Sequence, residues 1–347
     1  MECQPGQVAW LREQGAGMVG RKRPTIEDVA AAAGVSRGTV SRVLNGGHYV
    51  SPAALRAVNQ AIKRTGYAAN QHARSLVTRR SGSVAFILSE PQESLATDPN
   101  ISVMLRDCSR VLAEQDIGMF VCVASSDAER ARVARFVAGG HVDGALLVNA
   151  RAGDPIMDQL MASGVPLGAI GVPLGRESSM AYVSVDDRHG ARQMMSHLKS
   201  LGRSRIATVT GPLDAPGGRK RLQGYRDEAG CDLVAGGDYS QESGERAMSS
   251  LLERAPDLDA VFVASDVMAL GVLAALQRAG RRVPDDVAVG GFDDSAAATV
   301  ARPSLTTIRQ PWRQISSEMV RLLLSLVGGE PHTAVILPTE LVVRDST

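Results

Sequence analysis

The chain of 347 residues lacks the features that mark metalloproteins, secreted proteins and membrane proteins. Its four cysteines lie far apart without a CxxC pair, and its six histidines form no HExxH or similar zinc-binding pattern. No apolar run approaches the ~18 residues that span a bilayer. Residues 1–20 contain no apolar signal-peptide core. These absences predict a cytoplasmic protein with no metal, no cofactor and no membrane partner.

Sequence motifs of common enzymes are also missing. The chain contains no GxxxxGK[ST] phosphate-binding loop and no GxSxG nucleophile elbow. Adjacent acids do occur, but neighbouring residues of a strand point to opposite faces, so such pairs form no paired-carboxylate site. We interpret most of them as turns or helix caps: Asp186–Asp187, Asp285–Asp286 and Asp293–Asp294. The sequence therefore favours a protein that is not an enzyme.

Charge is divided unevenly along the chain, although the total is only +1. Residues 21–80 contain eleven Lys and Arg but only two acids, a net charge of +9. The 267 residues that follow carry a net charge of −7. Because clustered Lys and Arg neutralise phosphates, this pattern favours a small nucleic-acid-binding module ahead of a larger acidic body. A solvated basic face or a flexible arm is the alternative interpretation.

The basic module has the capping residues and apolar spacing of short helices. Thr25 and Asp28 form a start like a capping box, and Gly34 ends this first helix. Ser36 caps a second helix that runs to Leu44. Two helices joined by a short turn that contains glycine form a helix-turn-helix. A third helix is predicted with Ser51 as its cap, Pro52 at its first position and Thr65 near its end.

The second helix of such a unit lies in the major groove of DNA, with its N-terminal residues on base edges. In this chain Arg37 and Arg42 occupy that part of the helix. An arginine can make a bidentate contact to guanine, worth ~1–3 kcal/mol of discrimination. We expect nearby polar side chains to bond phosphates and fix the register: Thr39, Ser41 and Asn45.

The segment from Thr25 to Asn45, TIEDVAAAAGVSRGTVSRVLN, resembles the headpiece of the lac-repressor/galactose-repressor (LacI/GalR) family. Residues 73–76 resemble the hinge helix of that family. The resemblance implies that hinge helices of two subunits pair in the minor groove, where Leu76 wedges into the central base step and Ala73 lies beside the partner hinge. It implies these DNA-binding residues: Thr25, Ser36, Arg37, Thr39, Ser41, Arg42, Asn45, Tyr49, Asn70, Ala73 and Leu76.

One position departs from the family pattern. Family members often carry a base-reading side chain where this chain has Gly38. Glycine cannot read a base, and it weakens a helix locally. We therefore expect Arg37 and Arg42 to dominate direct readout.

Beyond residue 82 short apolar runs of strand length alternate with helical segments. Strands that alternate with helices imply parallel sheets, and ligands bind such sheets at the carboxyl ends of the strands. The strands are predicted in two series: residues 84–88, 119–123 and 145–148, then 206–209, 260–263 and 287–290. The fold class is thus an all-α helix-turn-helix headpiece followed by an α/β core of two parallel-sheet lobes.

The core resembles the effector-binding core of the same family, which is similar to periplasmic sugar-binding proteins. The motifs that carry this resemblance include VTGPL at 209–213, ASDVMALG at 264–271 and PSLTTIRQ at 303–310. Where family members often have asparagine, this chain has Ser265, whose shorter reach leaves the ligand open. The resemblance implies an effector pocket formed by Arg221, Tyr239, Ser265, Asp293 and Trp312.

These patterns predict four segments along the chain. Residues 1–23 match nothing in the family and are expected to be a disordered extension. The headpiece spans 24–70 and the hinge helix with its linker spans 71–81. The core spans 82–347, with lobe 1 at about 82–183 and 311–326 and lobe 2 at about 184–310 and 327–347. The chain should therefore cross between the lobes near Ser184, Gln310 and Leu326.

The resemblance implies a homodimeric transcriptional regulator, most often a repressor, that binds a near-palindromic double-stranded DNA operator. A small molecule bound between the lobes would control its operator affinity. A carbohydrate is the first expectation for this effector, and a purine-like corepressor is the alternative. A solute-binding receptor is a weaker interpretation, because it would not need a headpiece of net charge +9.

Overall fold

A computed structural model describes residues 24–44, 50–67, 80–90, 97–149, 151–230 and 232–347. The chain divides into two compact units, residues 1–79 and residues 80–347. The expected N-terminal extension and residues 71–79 of the expected hinge lie outside the described residues.

The first unit contains the three predicted helices, α1 (Ile26–Ala33), α2 (Arg37–Leu44) and α3 (Pro52–Thr65). The capping box is confirmed, since Thr25 accepts from the backbone of Asp28, whose carboxylate accepts from Thr25 N at 2.8 Å. Gly34 ends α1 in the left-handed conformation, with φ of 67°. Ser51 caps α3 by accepting from Ala54 N at 3.2 Å. Each of these bonds is local, which is why the sequence alone predicts them.

A small apolar core holds the three helices together. Val29 of α1, Val40 of α2 and Val58 of α3 are fully buried against one another. Ala30 and Ala61 complete this core. Their burial directs the opposite, polar side of α2 outward.

The second unit begins with lobe 1, which contains β1 (Ser83–Leu88), α4 (Pro99–Ala113), β2 (Gly118–Val123), α5 (Asp127–Ala138), β3 (Gly144–Val148), α6 (Pro155–Ala162), β4 (Leu167–Ile170) and β5 (Ala181–Val185). Lobe 2 follows with α7 (Asp187–Ser200), β6 (Ile206–Thr210), α8 (Pro216–Glu228), β7 (Val234–Gly236), α9 (Gln241–Arg254), β8 (Ala260–Val263), α10 (Asp266–Arg278), β9 (Ala288–Asp293), α11 (Ala296–Val300) and β10 (Thr306–Arg309). The chain ends with α12 (Trp312–Val327), β11 (Ala334–Leu337) and β12 (Glu340–Val342).

Each lobe is built on a six-stranded sheet. The strand order is β11-β5-β4-β3-β1-β2 in lobe 1 and β12-β10-β9-β8-β6-β7 in lobe 2. The strands pair in parallel, except that β12 runs antiparallel to β10. Central strands such as β1, β3, β8 and β9 are almost fully buried, as expected for parallel sheets covered by helices on both faces. The predicted fold class of two parallel-sheet lobes is confirmed.

The chain crosses between the lobes three times, and the third crossing differs from the sequence-based expectation. Helix α12 packs on β3, β4 and β5 and so belongs to lobe 1. The next strand, β11, pairs with β5 through four residues, from Ala334 opposite Tyr182 to Leu337 opposite Val185. The third crossing therefore lies between Leu337 and Glu340 and not near Leu326. The physical reason is that β11 completes the ladder on the free side of β5.

No helix within the described part of the chain is both long enough and apolar enough to cross a membrane. The same residues contain no group of three or more His, Cys, Asp or Glu side chains arranged to hold a metal ion. Cys108 is fully buried and Cys122 is half-buried, and both are free thiols.

Candidate functional site

Helix α2 presents the candidate DNA-reading side chains. Val40 anchors one side of the helix in the headpiece core, while Arg37 and Arg42 are exposed. Arg37 Nε lies 3.2 Å from Glu27 Oε1 of α1, and both side chains remain mostly exposed. Among the described residues none forms an ion pair with Arg42. The guanidinium of Arg42 is thus available to an external acceptor, and that of Arg37 is exposed but paired with Glu27.

The hydroxyl groups of the headpiece support the starts of its helices. Ser36 Oγ accepts from Thr39 N at 3.1 Å and lies 3.0 Å from Thr39 Oγ1. Thr25 Oγ1 donates to Asp28 Oδ2 at 2.9 Å. These residues therefore have local roles beside any DNA contact. Five of the predicted DNA-binding residues lie outside the described part of the chain: Asn45, Tyr49, Asn70, Ala73 and Leu76.

The backbone at Gly38 does not require glycine. A Cβ built there would meet only Ser36 Oγ, at 3.7 Å, which is an ordinary van der Waals contact. Gly38 is also exposed on α2. The missing side chain is therefore a property of the reading surface and not a need of the fold.

Loops that follow strands of both sheets meet at the carboxyl edges of those strands, and the region where they meet is called the inter-lobe cleft below. Arg151, in the loop after β3, places Nη1 3.3 Å from both carboxylate oxygens of Asp214, in the loop after β6. Its Nη2 lies 3.7 Å from Oε1 of Glu90, which follows β1. The backbone of Ala152 donates to the carbonyl oxygen of Asp214 at 3.0 Å. Loops of both lobes are thus in direct contact at the edge where ligands of such folds bind.

Arg221 of α8 is the central cation of the lobe 2 side of this cleft. Its buried guanidinium donates from Nε to Asp187 at 2.8 Å and from Nη1 to the carbonyl oxygen of Ala264 at 2.6 Å. It also lies 3.7 Å from the centre of the Phe292 ring. Burial alone would lower the pKa of Arg221, but the negative charges of Asp187 and Asp293 outweigh it and raise the pKa. Arg221 therefore remains a fixed donor.

Asp293 ends β9 beside this arginine. Its Oδ1 lies 3.7 Å from Arg221 Nη1 and accepts from Gln310 Nε2 at 2.6 Å. Its φ of 118° is in the region that favours glycine, so the backbone here is strained to turn the chain toward the cleft. Burial raises the pKa of Asp293 well above its ordinary value, even though Arg221 opposes this shift.

Tyr239 closes over the loop that follows β6. A Cβ built on Gly211 would lie 2.3 Å from Cζ of the Tyr239 ring, so only glycine leaves room for the ring. Tyr239 itself has a φ of 73°. Burial raises the pKa of its hydroxyl to about 12, so the hydroxyl stays protonated. The structure therefore places Arg221 beside Asp293 and Tyr239 against the loop that follows β6.

Ser265 and Asp266 stand at the start of helix α10. Ser265 is the N-cap of α10 and accepts from Met268 N at 3.2 Å. Asp266 is fully buried and accepts from Thr307 Oγ1 at 2.6 Å and from Ser295 N at 2.8 Å. Since the hydroxyl of Ser265 serves the helix, its reach toward a ligand is limited.

Trp312 lies on the lobe 1 side of the second crossing. It is the first residue of α12, and its half-buried ring packs against the lobe 1 core. The indole Nε1 is buried without a hydrogen-bond partner among the described residues. Trp312 N donates to the carbonyl oxygen of Gln310, whose side chain bonds Asp293. Trp312 is thus linked to the cluster through Gln310.

Sequence reasoning missed several residues of this cleft. Asp187 was interpreted as a member of a turn or cap pair, but it is buried and bonds Arg221. Asp98 caps α4, and burial together with the charge of Glu90 raises its pKa to about 6. Gln310 was expected only as a crossing point. The partners of Asp187 and Gln310 lie 34 and 17 positions away in the chain, so no local sequence signal marks these two contacts.

Comparison with known families matches both units of the chain. Residues 25–70 match the family described as bacterial regulatory proteins, lacI family. Residues 195–347 match the family described as periplasmic binding protein-like domain. The two matches cover the helix-turn-helix, most of lobe 2, and helix α12 and strand β11 of lobe 1.

Known proteins similar over the whole length are transcriptional regulators. The HTH-type transcriptional regulator CelR of Thermobifida fusca is 45% identical over 336 residues, which are 94% of this chain and 99% of that protein. A solved complex of a transcriptional regulator CelR with cellobiose has 43% identity and a TM-score of 0.75, covering 94% of this chain and 100% of that chain. The lac repressor dimer bound to operator and the anti-inducer ONPF has 28% identity and a TM-score of 0.82, and the match covers 94% of this chain and 99% of that chain.

Proposed function

The chain belongs to the lacI family of bacterial regulatory proteins, and we propose that it is a homodimeric repressor whose operator affinity is set by a neutral sugar bound between its lobes. As a family member it is a DNA-binding transcriptional regulator with a helix-turn-helix. The proposal further places it in the cytoplasm, where operator DNA is, and assigns it no catalytic activity.

The observation that carries the sugar proposal is the polar cluster of Arg221 and Asp293 in the inter-lobe cleft. A guanidinium donates to hydroxyl oxygens and a carboxylate accepts from hydroxyl groups, so together they suit a polyhydroxylated ligand. The flat rings of Tyr239 and Trp312 are proposed to cover the faces of a sugar ring, and Ser265 to border the site. The CelR relative solved with cellobiose supports a β-linked disaccharide as the first candidate.

The DNA side of the proposal rests on helix α2. Arg37 and Arg42 are exposed and are proposed to read base edges. Thr25, Ser36, Thr39 and Ser41 are proposed to contact phosphates near the helix starts. Five further residues are proposed to bind DNA on the family resemblance alone: Asn45, Tyr49 and Asn70 in the headpiece, and Ala73 and Leu76 in the hinge.

Features of both the headpiece and the core support the homodimer proposal. A near-palindromic operator presents two half-sites, so two headpieces are required. The lac repressor is a dimer in its solved operator complex. Strand β2 is an edge of the lobe 1 sheet, and Phe120 and Val121 on it are each 48% exposed. A second copy of the chain would cover this apolar edge.

Selection of genomic DNA fragments by the purified full chain at moderate salt tests the proposal. We expect one palindrome to be enriched, and cellobiose to change the retention of that palindrome. Arg42→Ala should abolish the enrichment, whereas Lys63→Ala, which removes an exposed charge from α3, should weaken binding without changing the selected sequence. Absence of any enriched palindrome, with and without a metabolite extract, would contradict the regulator proposal. A response to purines and not to sugars would replace the proposed effector.

A further inference from the structure

Glu27 is an exposed acid in a module that is otherwise strongly basic. Residues 21–80 contain two acids against eleven Lys and Arg. The other acid, Asp28, belongs to the capping box of α1, where its carboxylate accepts from Thr25 N at 2.8 Å. The side chain of Glu27 is 59% exposed. Because a carboxylate repels phosphates, Glu27 lowers the affinity of the module for DNA of any sequence, so its role is not general DNA binding.

The contact of Glu27 is with an arginine that is proposed to read a base. Glu27 lies in the first turn of α1, and Arg37 is the first residue of α2. Oε1 of Glu27 is 3.2 Å from Nε of Arg37. Val29 and Val40, which follow on the same two helices, are fully buried in one apolar core. Because this core fixes α1 against α2, the carboxylate keeps its place beside the guanidinium.

This ion pair acts on the freedom of Arg37 more than on stability. Both side chains are mostly exposed, so the pair adds little to the stability of the headpiece. The next residue, Gly38, has no side chain against which the guanidinium could rest, and a Cβ there would have only Ser36 Oγ within 4 Å. A long side chain that is ordered before binding loses less conformational entropy when it meets its target. Glu27 therefore prepares Arg37 for a defined contact.

We propose that Glu27 is a positioning residue that holds the Nε side of the Arg37 guanidinium, so that Nη1 and Nη2 point to O6 and N7 of one guanine in each half-site. This inference rests on the proposed reading of bases by α2. A guanidinium carries its N–H donors in a fixed fork, and a carboxylate at Nε leaves the two Nη groups for a bidentate contact. Glu27 thus increases the preference for guanine while it weakens binding to DNA that lacks this base.

Binding of the full chain to duplexes with single base-pair changes, measured by fluorescence anisotropy, tests this role. The probes are the palindrome enriched from genomic DNA, its variants with each base pair replaced in both half-sites, and a duplex of unrelated sequence. Arg37→Ala first identifies the base pair that Arg37 reads, because the preference for guanine there should disappear. Glu27→Ala and Glu27→Gln are then compared at that base pair. The matched control is Gln60→Lys, which makes the headpiece more positive by the same single charge at an exposed position on α3.

We expect Glu27→Ala to lower the preference for guanine at that base pair about fivefold or more, and to bind the unrelated duplex more tightly than wild type does. Glu27→Gln should lie between wild type and Glu27→Ala, because its amide oxygen can accept from Nε but carries no charge. Gln60→Lys should tighten binding to every duplex and leave the preference unchanged. In the Arg37→Ala background, Glu27→Ala should change no base preference, since no guanidinium is left to position.

The other outcomes are distinct. If Arg37→Ala removes a guanine preference that Glu27→Ala keeps, the inference is overturned while the proposed function stands. Equal weakening of all duplexes by Glu27→Ala would also overturn it, because a destabilised helix gives that result. A base preference that Glu27→Ala alters in the Arg37→Ala background would overturn it as well, since Glu27 would then read a base itself. An Arg37→Ala variant that keeps every preference, or the absence of an enriched palindrome, would refute the proposed reading by Arg37, and this inference with it.

Discussion

Removal of Arg221 should destabilise the core more than any exposed charge does. Arg221→Met keeps the aliphatic part of the side chain but leaves Asp187 buried without its cation, and it removes the bond to Ala264 O. Breaking a buried ion pair by removing one partner costs about 3–5 kcal/mol. Asp293 limits the loss, because its pKa is already raised and it can bind a proton when the guanidinium is absent. We therefore expect a decrease near the lower end, about 3 kcal/mol in the free energy of unfolding.

The matched control lies on the same helix. Arg226 forms an ion pair with Asp232 at 3.1 Å, but both side chains are more than half exposed. Exposed ion pairs contribute little to stability, so Arg226→Met should leave the free energy of unfolding nearly unchanged. The double variant Arg221→Met with Asp187→Asn should recover about 1.5 kcal/mol or more relative to the sum of the single variants, because the uncompensated charge is gone.

Urea unfolding of the full chain, followed by circular dichroism at 222 nm, measures these differences. The slope with urea should be the same for all variants, since a changed slope would indicate a changed unfolded state or a new intermediate. A loss below about 1 kcal/mol for Arg221→Met, or additive effects in the double variant, would refute the reasoning. Arg221 would then not be the group that compensates the negative charge of the buried carboxylates.

Three further predictions concern glycines and a buried acid. Gly38→Ala should stabilise the headpiece by about 0.8–1 kcal/mol, because alanine favours the helix and its Cβ meets only Ser36 Oγ at 3.7 Å. Thermal unfolding monitored by circular dichroism should show a higher transition temperature. A lower transition temperature would contradict this prediction. Gly211→Ala should displace the Tyr239 ring, because the new Cβ would lie 2.3 Å from Tyr239 Cζ. We expect the affinity for the sugar to fall about tenfold or more, with no loss of operator binding. An unchanged sugar affinity in calorimetry would place the ring outside the site. Burial raises the pKa of Asp266 from 3.8 to about 7, so the folded state binds a proton more tightly than the unfolded chain, and the free energy of unfolding should rise as pH falls from 8 to 5. Asp266→Asn should reduce that rise in urea unfolding at each pH, and an equal rise in the variant would exclude Asp266 as its source.

The sequence predicts best what is determined by contacts between near neighbours. The N-caps and glycine ends of the headpiece involve residues three to five positions apart, so the helix bounds follow directly from the residue types. The apolar runs of β1, β3 and β8 are equally plain, since strands buried on both faces are continuously hydrophobic. Strands at the edges carry a weaker signal.

The remaining parts depend on tertiary pairing that no local pattern records. Strand β11 has only one buried residue, and its place beside β5 became clear only from the register of the two strands. Asp266 is an acid in the first turn of α10, where acids are common, yet its carboxylate accepts from Thr307, which is 41 positions away. Asp187 is likewise 34 positions from Arg221. In each case the chemistry of the residue was visible, but its partner was not.

The direct contacts between the lobes are weak, and this limits how the regulator can be switched. The side chains of Arg151 and Asp214 are 36% and 50% exposed, so their pair contributes about 0–1 kcal/mol. The bond from Ala152 N to Asp214 O adds about 0.5–1.5 kcal/mol.

Moving a two-state equilibrium from 1:99 to 99:1 requires about 5.5 kcal/mol of differential affinity. On the proposed site most of that difference must come from the ligand itself. Hydrogen bonds from sugar hydroxyls to charged groups on both lobes would supply it, if there are two at about 3 kcal/mol each or three at about 2 kcal/mol each. A ligand bonded only to Arg221 and Asp293 would bind lobe 2 equally well in open and closed forms, and it would therefore leave operator affinity unchanged.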